Sequence, residues 1–219
     1  EAPRSSRCDA GLSPRAVRPV LSERPAIRRL RLYRAPHFLD PATCLRVRSA
    51  MDRGMAEPAE VLDPCANPDH HARRAASIDI DHATLDAVEA TLDAGRNAVA
   101  AHYRLSLVSR EGPGFLRYGP GGFYRRHRDR AVETAWPDAA RRLVSLIVFL
   151  NDWCARPGPG EFSGGELVIF PESSDVSVTS EAITVVPRQG ALVAFDASML
   201  HEVRPVRGGM RDVIVDWFY

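Results

Sequence analysis

The sequence predicts a mostly β protein, a sandwich or barrel of short strands that helices brace on one side. Before about residue 104 the apolar residues recur at helical spacing, whereas from residue 105 onward they form short runs or alternate with polar residues. A hydrophobic content of 45% over 219 residues suffices for one domain with a sizeable core. Within that domain we expect an N-terminal arm (1–26), a helical support region (27–104) and a β core (105–219).

Local signals define the first elements. The arm is rich in Arg, Ser and Pro without sustained periodicity, and IRRLRLY (27–33) alternates as a strand does. Asp40 is a suitable N-cap and Pro41 suits the first helical position, which predicts a helix through the segment CLRVRSAMDRGM. Its apolar stripe is expected to comprise Cys44, Val47, Met51 and Met55.

A second helix follows a loop. Residues 62–76 contain two prolines, Asn and a polar cluster, which are typical of a loop. Either Asp81 or Thr84 caps the next helix, which is expected to reach Tyr103. Its buried side is predicted to consist of Leu85, Val88, Leu92, Ala98 and Val99.

Seven short runs in the second half of the chain predict strands, because they are apolar or alternating and are separated by Gly, Pro, Asp and Ser. They are LSLVS (105–109), GFLRY (114–118), LVSLIVFLN (143–151), GELVIF (165–170), AITVVP (182–187), ALVAF (191–195) and VIVDWFY (213–219).

Composition excludes several classes of function. The net charge of +1 argues against a nucleic-acid partner. All 29 basic residues are arginine, so Schiff-base chemistry and a Walker-type phosphate loop are excluded. The four cysteines form no C-x-x-C pair, which predicts free thiols and a cytoplasmic location. No apolar run has the length of a membrane span. Because the sequence starts with Glu1 rather than Met, the natural protein could begin upstream of Glu1.

Three residues could form a metal site. His127 and Asp129 are two residues apart in an extended segment, so both side chains are expected on one side. If His201, near a predicted strand end, folds back to them, two imidazoles and one carboxylate face a single ion. That ligand set suits non-haem Fe(II) with positions left open. Zinc hydrolases use the same residue types, but nothing here supplies a general base at the usual spacing.

Two other motifs are rejected. The pair His70–His71 lacks a carboxylate or cysteine at a metal-ligand spacing. The letters HRD (127–129) match a protein-kinase catalytic loop, but the downstream Asn and a DFG motif are absent from the sequence.

Arg211 suggests a second binding group. It begins the last predicted strand, ten residues after His201 and across the turn RGGM. A hairpin would carry it from the metal end into the sheet interior, where an unpaired charge is highly unfavourable. A dicarboxylate with one end on the metal and the other on the guanidinium would neutralise it. The alternative is a salt bridge to a protein acid such as Asp216 or Glu166.

These residues lie within motifs that resemble the prolyl 4-hydroxylase branch of the Fe(II)- and 2-oxoglutarate-dependent oxygenases. The matching pieces occur in the family's order over about residues 105–219. They are RYGPGGFYRRHRD, RLVSLIVFLNDW, SGGELVIFPE, GALVAFDASMLHEVRPV and RDVIVDWFY. Within that branch, LNDW, GGELVIFPE and HEVRPV resemble the oxygen-sensing prolyl hydroxylases and their bacterial homologues.

The resemblance implies a double-stranded β-helix (jelly-roll) core and assigns roles to individual residues. His127, Asp129 and His201 would bind Fe(II). Arg211 would hold the distal carboxylate of 2-oxoglutarate, and Tyr118 matches a family tyrosine whose hydroxyl faces that co-substrate. Beyond the metal ligands it implies no separate catalytic residue. O2 would be the second co-substrate, and ascorbate is a further candidate cofactor.

Other positions depart from the family or are less specific. Phe149 stands where the oxygen-sensing enzymes place a second tyrosine beside the arginine, so the carboxylate needs another donor. We expect Ser145, on the same strand face, to supply it. Trp217 matches a family aromatic and equally suits core packing. Arg130 and Trp136, in the loop after Asp129, are candidates for substrate contact.

The resemblance implies a hydroxylase of prolyl residues in a protein or peptide. One alternative is hydroxylation of a free amino acid or of a natural-product intermediate. An alternative of a different class is an inactive binding or sensor module on the same fold. No nucleic-acid or membrane partner is expected, and the sequence does not indicate an oligomeric state.

Overall fold

A computed structural model describes residues 32–59, 72–130, 137–170 and 182–219. These residues form three helices, α1 (Pro41–Arg53), α2 (His82–Tyr103) and α3 (Pro137–Arg141). The strands before α3 are β1 (Tyr33–Ala35), β2 (Met55–Pro58), β3 (Arg73–Arg74), β4 (Ala76–Asp79), β5 (Gly114–Tyr118) and β6 (Phe123–His127). Those after it are β7 (Val144–Phe149), β8 (Phe162–Gly164), β9 (Leu167–Phe170), β10 (Ile183–Val185), β11 (Leu192–Asp196), β12 (Leu200–Val203), β13 (Val206–Gly209) and β14 (Arg211–Phe218).

Two antiparallel sheets form the body of the protein. The larger has the strand order β1-β11-β7-β14-β5-β4-β2, the smaller has the order β10-β9-β12-β6-β3, and β8 pairs with β13. One apolar core fills the space between the two sheets, and a second lies between the larger sheet and helices α1 and α2. This mostly β architecture with helices on one face confirms the predicted fold class, a jelly roll with supporting helices.

Strand β14 shows how one segment serves both cores. Its side chains alternate between the two faces of the sheet. Val213 packs in the core between the sheets, whereas Ile214 and Phe218 pack against the helices. Arg211 therefore faces the inter-sheet space, and its neighbour Asp212 faces the helix layer, where it pairs with Arg48 of α1 at 2.9 Å.

The two long helices begin where the sequence predicts. Asp40 caps α1 and Asp81 caps α2, each accepting a hydrogen bond of 2.9 Å from the backbone N–H three residues on. The predicted interior is wrong in two places. Met55 belongs to strand β2 and is 69% exposed, because α1 ends at Arg53. Ala98 lies on the exposed side of α2.

Six of the seven runs predicted as strands contain a strand, and LSLVS (105–109) does not. This segment passes the end of the larger sheet, where the N–H groups of Val108 and Ser109 both donate to the Tyr219 carbonyl instead of forming a ladder. Strands β6, β8, β12 and β13 and the short β2 to β4 were not among the predicted runs. Of the strand predicted over 27–33, only Tyr33 is in β1; residues 27–31 lie outside the described residues.

Several sequence predictions fall on parts of the chain that the structure does not describe. These are the arm (1–26), the His70–His71 pair, Trp136, Cys8 and Cys65. Cys44 and Cys154 are described, and both are free thiols. Among the described residues, no helix combines the length and apolar surface that spanning a bilayer requires.

Candidate active site

The predicted metal ligands meet at one end of the inter-sheet space. His127 ends β6 and His201 lies in the adjacent strand β12, where the two residues are direct register partners. Asp129 follows β6 by two residues. One ligand atom from each of the three side chains lies within 4.8 Å of the others. The antiparallel pairing of β6 with β12, which are far apart in the chain, thus brings His201 to His127 and Asp129, as predicted.

A β-bulge in β6 shapes this end of the sheet. His201 pairs with His127 and Val203 pairs with Tyr124, so three steps along β6 match two steps along β12. The extra residue places Tyr124 and His127 on the same face, where their rings stack with centroids 3.4 Å apart. The bulge therefore packs one metal-ligand candidate, His127, against the half-buried ring of Tyr124.

Backbone carbonyls fix both imidazoles. His127 Nδ1 lies 2.7 Å from the Arg125 carbonyl, and His201 Nδ1 lies 3.0 Å from the Met199 carbonyl. Because a carbonyl only accepts, each Nδ1 is the donor of its hydrogen bond, and each Nε2 lies near the Asp129 carboxylate. Second partners of this kind orient the imidazoles of metal sites.

The Asp129 carboxylate lies close to both imidazoles. Asp129 Oδ1 lies 3.4 Å from His127 Nε2, and Asp129 Oδ2 lies 3.6 Å from His201 Nε2. Burial alone would raise the pKa of Asp129, but interactions with His201, His127 and Ser145 outweigh it and hold that pKa well below its usual range. Burial lowers the pKa of His201 to about 4 against the opposing effect of Asp129. An ionised carboxylate beside a neutral imidazole is the protonation state that a divalent cation needs.

Two residues from the start of the β7 region hold Asp129. Ser145 Oγ donates to Asp129 Oδ2 at 2.6 Å, and Arg142 Nη1 donates to the Asp129 backbone carbonyl at 3.1 Å. Arg142 also pairs with Glu111 through two nitrogens and lies 3.7 Å from the centroid of the Trp217 ring. Through Arg142, the loop that carries Asp129 is therefore attached to Glu111 and Trp217, which line the cavity.

Arg211 lies deeper, with 1% of its surface exposed. Its Nε and Nη2 are buried and make no hydrogen bond to the described residues, and it forms no ion pair with them. Asp216, one alternative partner considered from the sequence, binds Arg110 instead. Burial lowers the pKa of Arg211 to about 10, so the group remains charged at neutral pH. A buried cation with spare donors calls for an anion from outside the protein.

A cavity of about 420 Å³ connects Arg211 with the three ligand candidates. Its walls combine apolar side chains of both sheets, Leu116, Ile147, Val203, Val213 and Val215, with aromatic and charged groups. Such a mixed, concave site is typical of small-molecule binding.

The other predicted site residues lie in or beside this cavity. Tyr118 is the register partner of Arg211, whose guanidinium carbon is 5.0 Å from the Tyr118 ring centroid. Phe149 lies 5.4 Å from the same carbon and offers no donor. Trp217 lines the cavity, and Arg130 donates from Nε to the Ala140 carbonyl. Ser145 faces the inter-sheet space as predicted, but its hydroxyl donates a hydrogen bond to Asp129. Its contact with a co-substrate remains a prediction.

Sequence reasoning missed Arg73, Tyr124 and Arg142. Arg73 hydrogen-bonds Tyr118, and its guanidinium carbon lies 4.6 Å from the Tyr124 ring centroid. Both residues line the cavity. Tyr124, three residues before His127, could have been predicted to face the cavity only if the bulge in β6 had been predicted too. Nothing in the sequence around Arg73 indicates that β3 joins the edge of the smaller sheet.

Comparisons with known proteins agree with this geometry. Residues 113–219 match the family model of the 2OG-Fe(II) oxygenase superfamily. A PKHD-type hydroxylase of Picosynechococcus is 37% identical over 103 residues, which cover 47% of this chain and 39% of that protein. One of Klebsiella pneumoniae is 38% identical over 109 residues, covering 48% and 42%. The matched segment thus spans about two-fifths of the length of these relatives.

Solved structures extend the likeness over most of the chain. A prolyl-4-hydroxylase of Pseudomonas putida is 27% identical with a TM-score of 0.65, covering 86% of this chain and 92% of that one. A prolyl hydroxylase of Trichoplax adhaerens, solved with a peptide fragment of a hypoxia-inducible factor, is 19% identical with a TM-score of 0.63, covering 86% and 83%. The second likeness concerns the fold alone.

Proposed function

Because the chain belongs to the 2OG-Fe(II) oxygenase superfamily, we propose that it is a dioxygenase that hydroxylates prolyl residues of a protein or peptide. The observation that carries this proposal is the cavity joining three convergent ligand atoms to a buried arginine that lacks an anionic partner among the described residues. The name of the Pseudomonas prolyl-4-hydroxylase and those of the PKHD-type relatives support the hydroxylase reaction.

His127, Asp129 and His201 would hold the iron. Two imidazoles and one carboxylate are the donor set of non-haem Fe(II) oxygenases, and they leave positions open for co-substrates. Bound Fe(II) supplies the oxidising chemistry, in which 2-oxoglutarate and O2 yield succinate and CO2 while one oxygen atom enters a C–H bond of the substrate.

Arg211 and Tyr118 would hold the far carboxylate of 2-oxoglutarate. The guanidinium has spare donors that match a carboxylate in shape and charge. The Tyr118 hydroxyl interacts with Arg73, and if it accepts that hydrogen bond its own proton is available to the co-substrate. The apolar walls of the cavity exclude water and so strengthen these charged contacts.

Turnover tests the assignments. Substitution of His127, Asp129 or His201 by Ala should abolish succinate formation that depends on Fe(II). Arg211→Ala should raise the half-saturating 2-oxoglutarate concentration roughly 10- to 100-fold, because a hydrogen bond to a charged group contributes about 1.5–3 kcal/mol. His82→Ala, a change at an exposed position on α2, is the control. Normal 2-oxoglutarate saturation in the Arg211 variant would refute its role.

The substrate requires a separate experiment. The protein would be loaded with Fe(II) and 2-oxoglutarate without oxygen, then exposed to O2 with peptides from a cell lysate or with free amino acids. A gain of one oxygen atom on a prolyl residue of a peptide, detected by mass spectrometry, would support the proposal. The same gain on a free amino acid or a biosynthetic intermediate would favour the small-molecule alternative. Binding without turnover of any substrate would favour an inactive sensor.

A further inference from the structure

Ser145, on β7, donates a hydrogen bond to one of the metal-ligand candidates, Asp129. It is 1% exposed, and its register partners are Phe195 on β11 and Trp217 on β14, so large side chains enclose it on both sides. Its Oγ lies 2.6 Å from Asp129 Oδ2. A buried hydroxyl with an ionised acceptor at this distance forms a strong, charge-assisted hydrogen bond.

This hydrogen bond makes the two oxygens of Asp129 different. Oδ2 accepts the proton of Ser145 at 2.6 Å, whereas Oδ1 lies 3.4 Å from His127 Nε2. Oδ1 is thus the oxygen whose lone pairs remain available.

We propose that Ser145 is a positioning residue that holds Oδ2, so that Asp129 binds the metal through Oδ1 alone. With Oδ2 released, a carboxylate could chelate the ion through both oxygens and occupy a position that the co-substrates need. Ser145 therefore acts through Asp129 and keeps one more coordination position open. This inference rests on the proposed function, because it requires the triad to bind a divalent cation.

A pair of variants of equal shape isolates the hydroxyl. Ser145→Thr keeps a donor at this position, and Ser145→Val replaces that donor with a methyl group. Co(II), a divalent ion that is stable in air, is the probe. Its affinity is measured by calorimetry, and its visible spectrum reports the coordination number. Ser163→Ala removes a hydroxyl from another buried serine, on β8, and serves as the control.

We expect Ser145→Val to bind Co(II) about 10- to 100-fold more weakly, as is usual when a partner of a metal ligand is lost. Its Co(II) spectrum should also differ from that of the native protein. Ser145→Thr and Ser163→Ala should retain the native affinity and spectrum. Ser145→Ala adds no volume, so it replaces Ser145→Val if circular dichroism shows that the larger side chain prevents folding.

Two outcomes would overturn the inference in distinguishable ways. If the native protein and the folded hydroxyl-free variant bind Co(II) equally and with the same spectrum, Ser145 has no positioning role, while the proposed function stands. If the native protein binds no Co(II), the metal site itself is refuted and the inference falls with it.

Discussion

Gly165 packs directly against the aliphatic part of Arg211. Its backbone has a φ of +65°, and a Cβ atom built there would lie 2.9 Å from Arg211 Cδ. The residue therefore satisfies two requirements, a left-handed backbone and space for the guanidinium stem.

Gly165→Ala should displace Arg211 as well as strain the backbone. We expect the free energy of unfolding to fall by about 1–3 kcal/mol and the half-saturating 2-oxoglutarate concentration to rise, which urea titration and succinate assays would measure. Gly112→Ala is the matched control, because Gly112 also has a positive φ but no atom within 4 Å of the added Cβ. If both variants keep native 2-oxoglutarate saturation, the contact with Arg211 does not matter for binding.

Phe149→Tyr should add a donor beside Arg211. The Phe149 ring centroid lies 5.4 Å from the guanidinium carbon, and phenylalanine offers no hydrogen-bond donor. We expect the half-saturating 2-oxoglutarate concentration to fall severalfold, about 1 kcal/mol for one added hydrogen bond. Phe218→Tyr, in the core between the larger sheet and the helices, is the control. A weaker affinity in a stably folded Phe149 variant would contradict the expectation.

Metal-free protein should lose stability as the pH falls from about 6.5 to about 4. His201 takes up a proton near pH 6.5 when unfolded but only near pH 4 when folded, because burial disfavours its charged form. In this range the unfolded state binds more protons, which removes about 3 kcal/mol from the free energy of unfolding. Urea titrations in the presence of a chelator would measure the slope. His201→Gln should show a shallower slope; equal slopes in the two proteins would contradict this assignment.

Arg142→Ala should be strongly destabilising. The change leaves Glu111 and the Asp129 carbonyl without their donor and uncovers the Trp217 ring. Loss of one partner from a buried pair typically costs about 3–5 kcal/mol, and partial exposure of Glu111 places the expected value at the lower end. Thermal unfolding measures it. The double variant with Glu111→Ala should lose less than the sum of the single changes; strict additivity would mean that the pair contributes nothing.

The convergence of His127, Asp129 and His201 could be predicted because it depends on short-range rules of strand geometry. The two-residue period of a strand places His127 and Asp129 together, and a predicted strand end places His201 near a turn. The same period correctly put Ser145 and Phe149 on one face of β7. The acceptor of the Ser145 proton could not be predicted, because it depends on how far the loop after β6 reaches across the sheet.

The missed residues share a physical cause. Tyr124 faces the cavity only because the bulge breaks the alternation of β6, and β-bulges leave little signal in one sequence. Arg73 reaches the site because the two-residue strand β3 pairs with β6, and such a short pairing has no periodicity to detect. LSLVS illustrates the converse, since its strand-like pattern forms only isolated hydrogen bonds with Tyr219 beyond the end of β14.

The neighbours Arg211 and Asp212 point to opposite faces of one strand. Asp212 is fully buried and pairs with Arg48 of α1 and Arg117 of β5. An excised fragment beginning near residue 105 would lose Arg48 and expose the apolar face that α1 and α2 cover. Such a fragment would therefore not fold, even though it retains most residues that line the cavity. The boundary near residue 104 separates a region in which apolar residues recur at helical spacing from one with strand-like runs. We expect these two regions to unfold together in one transition.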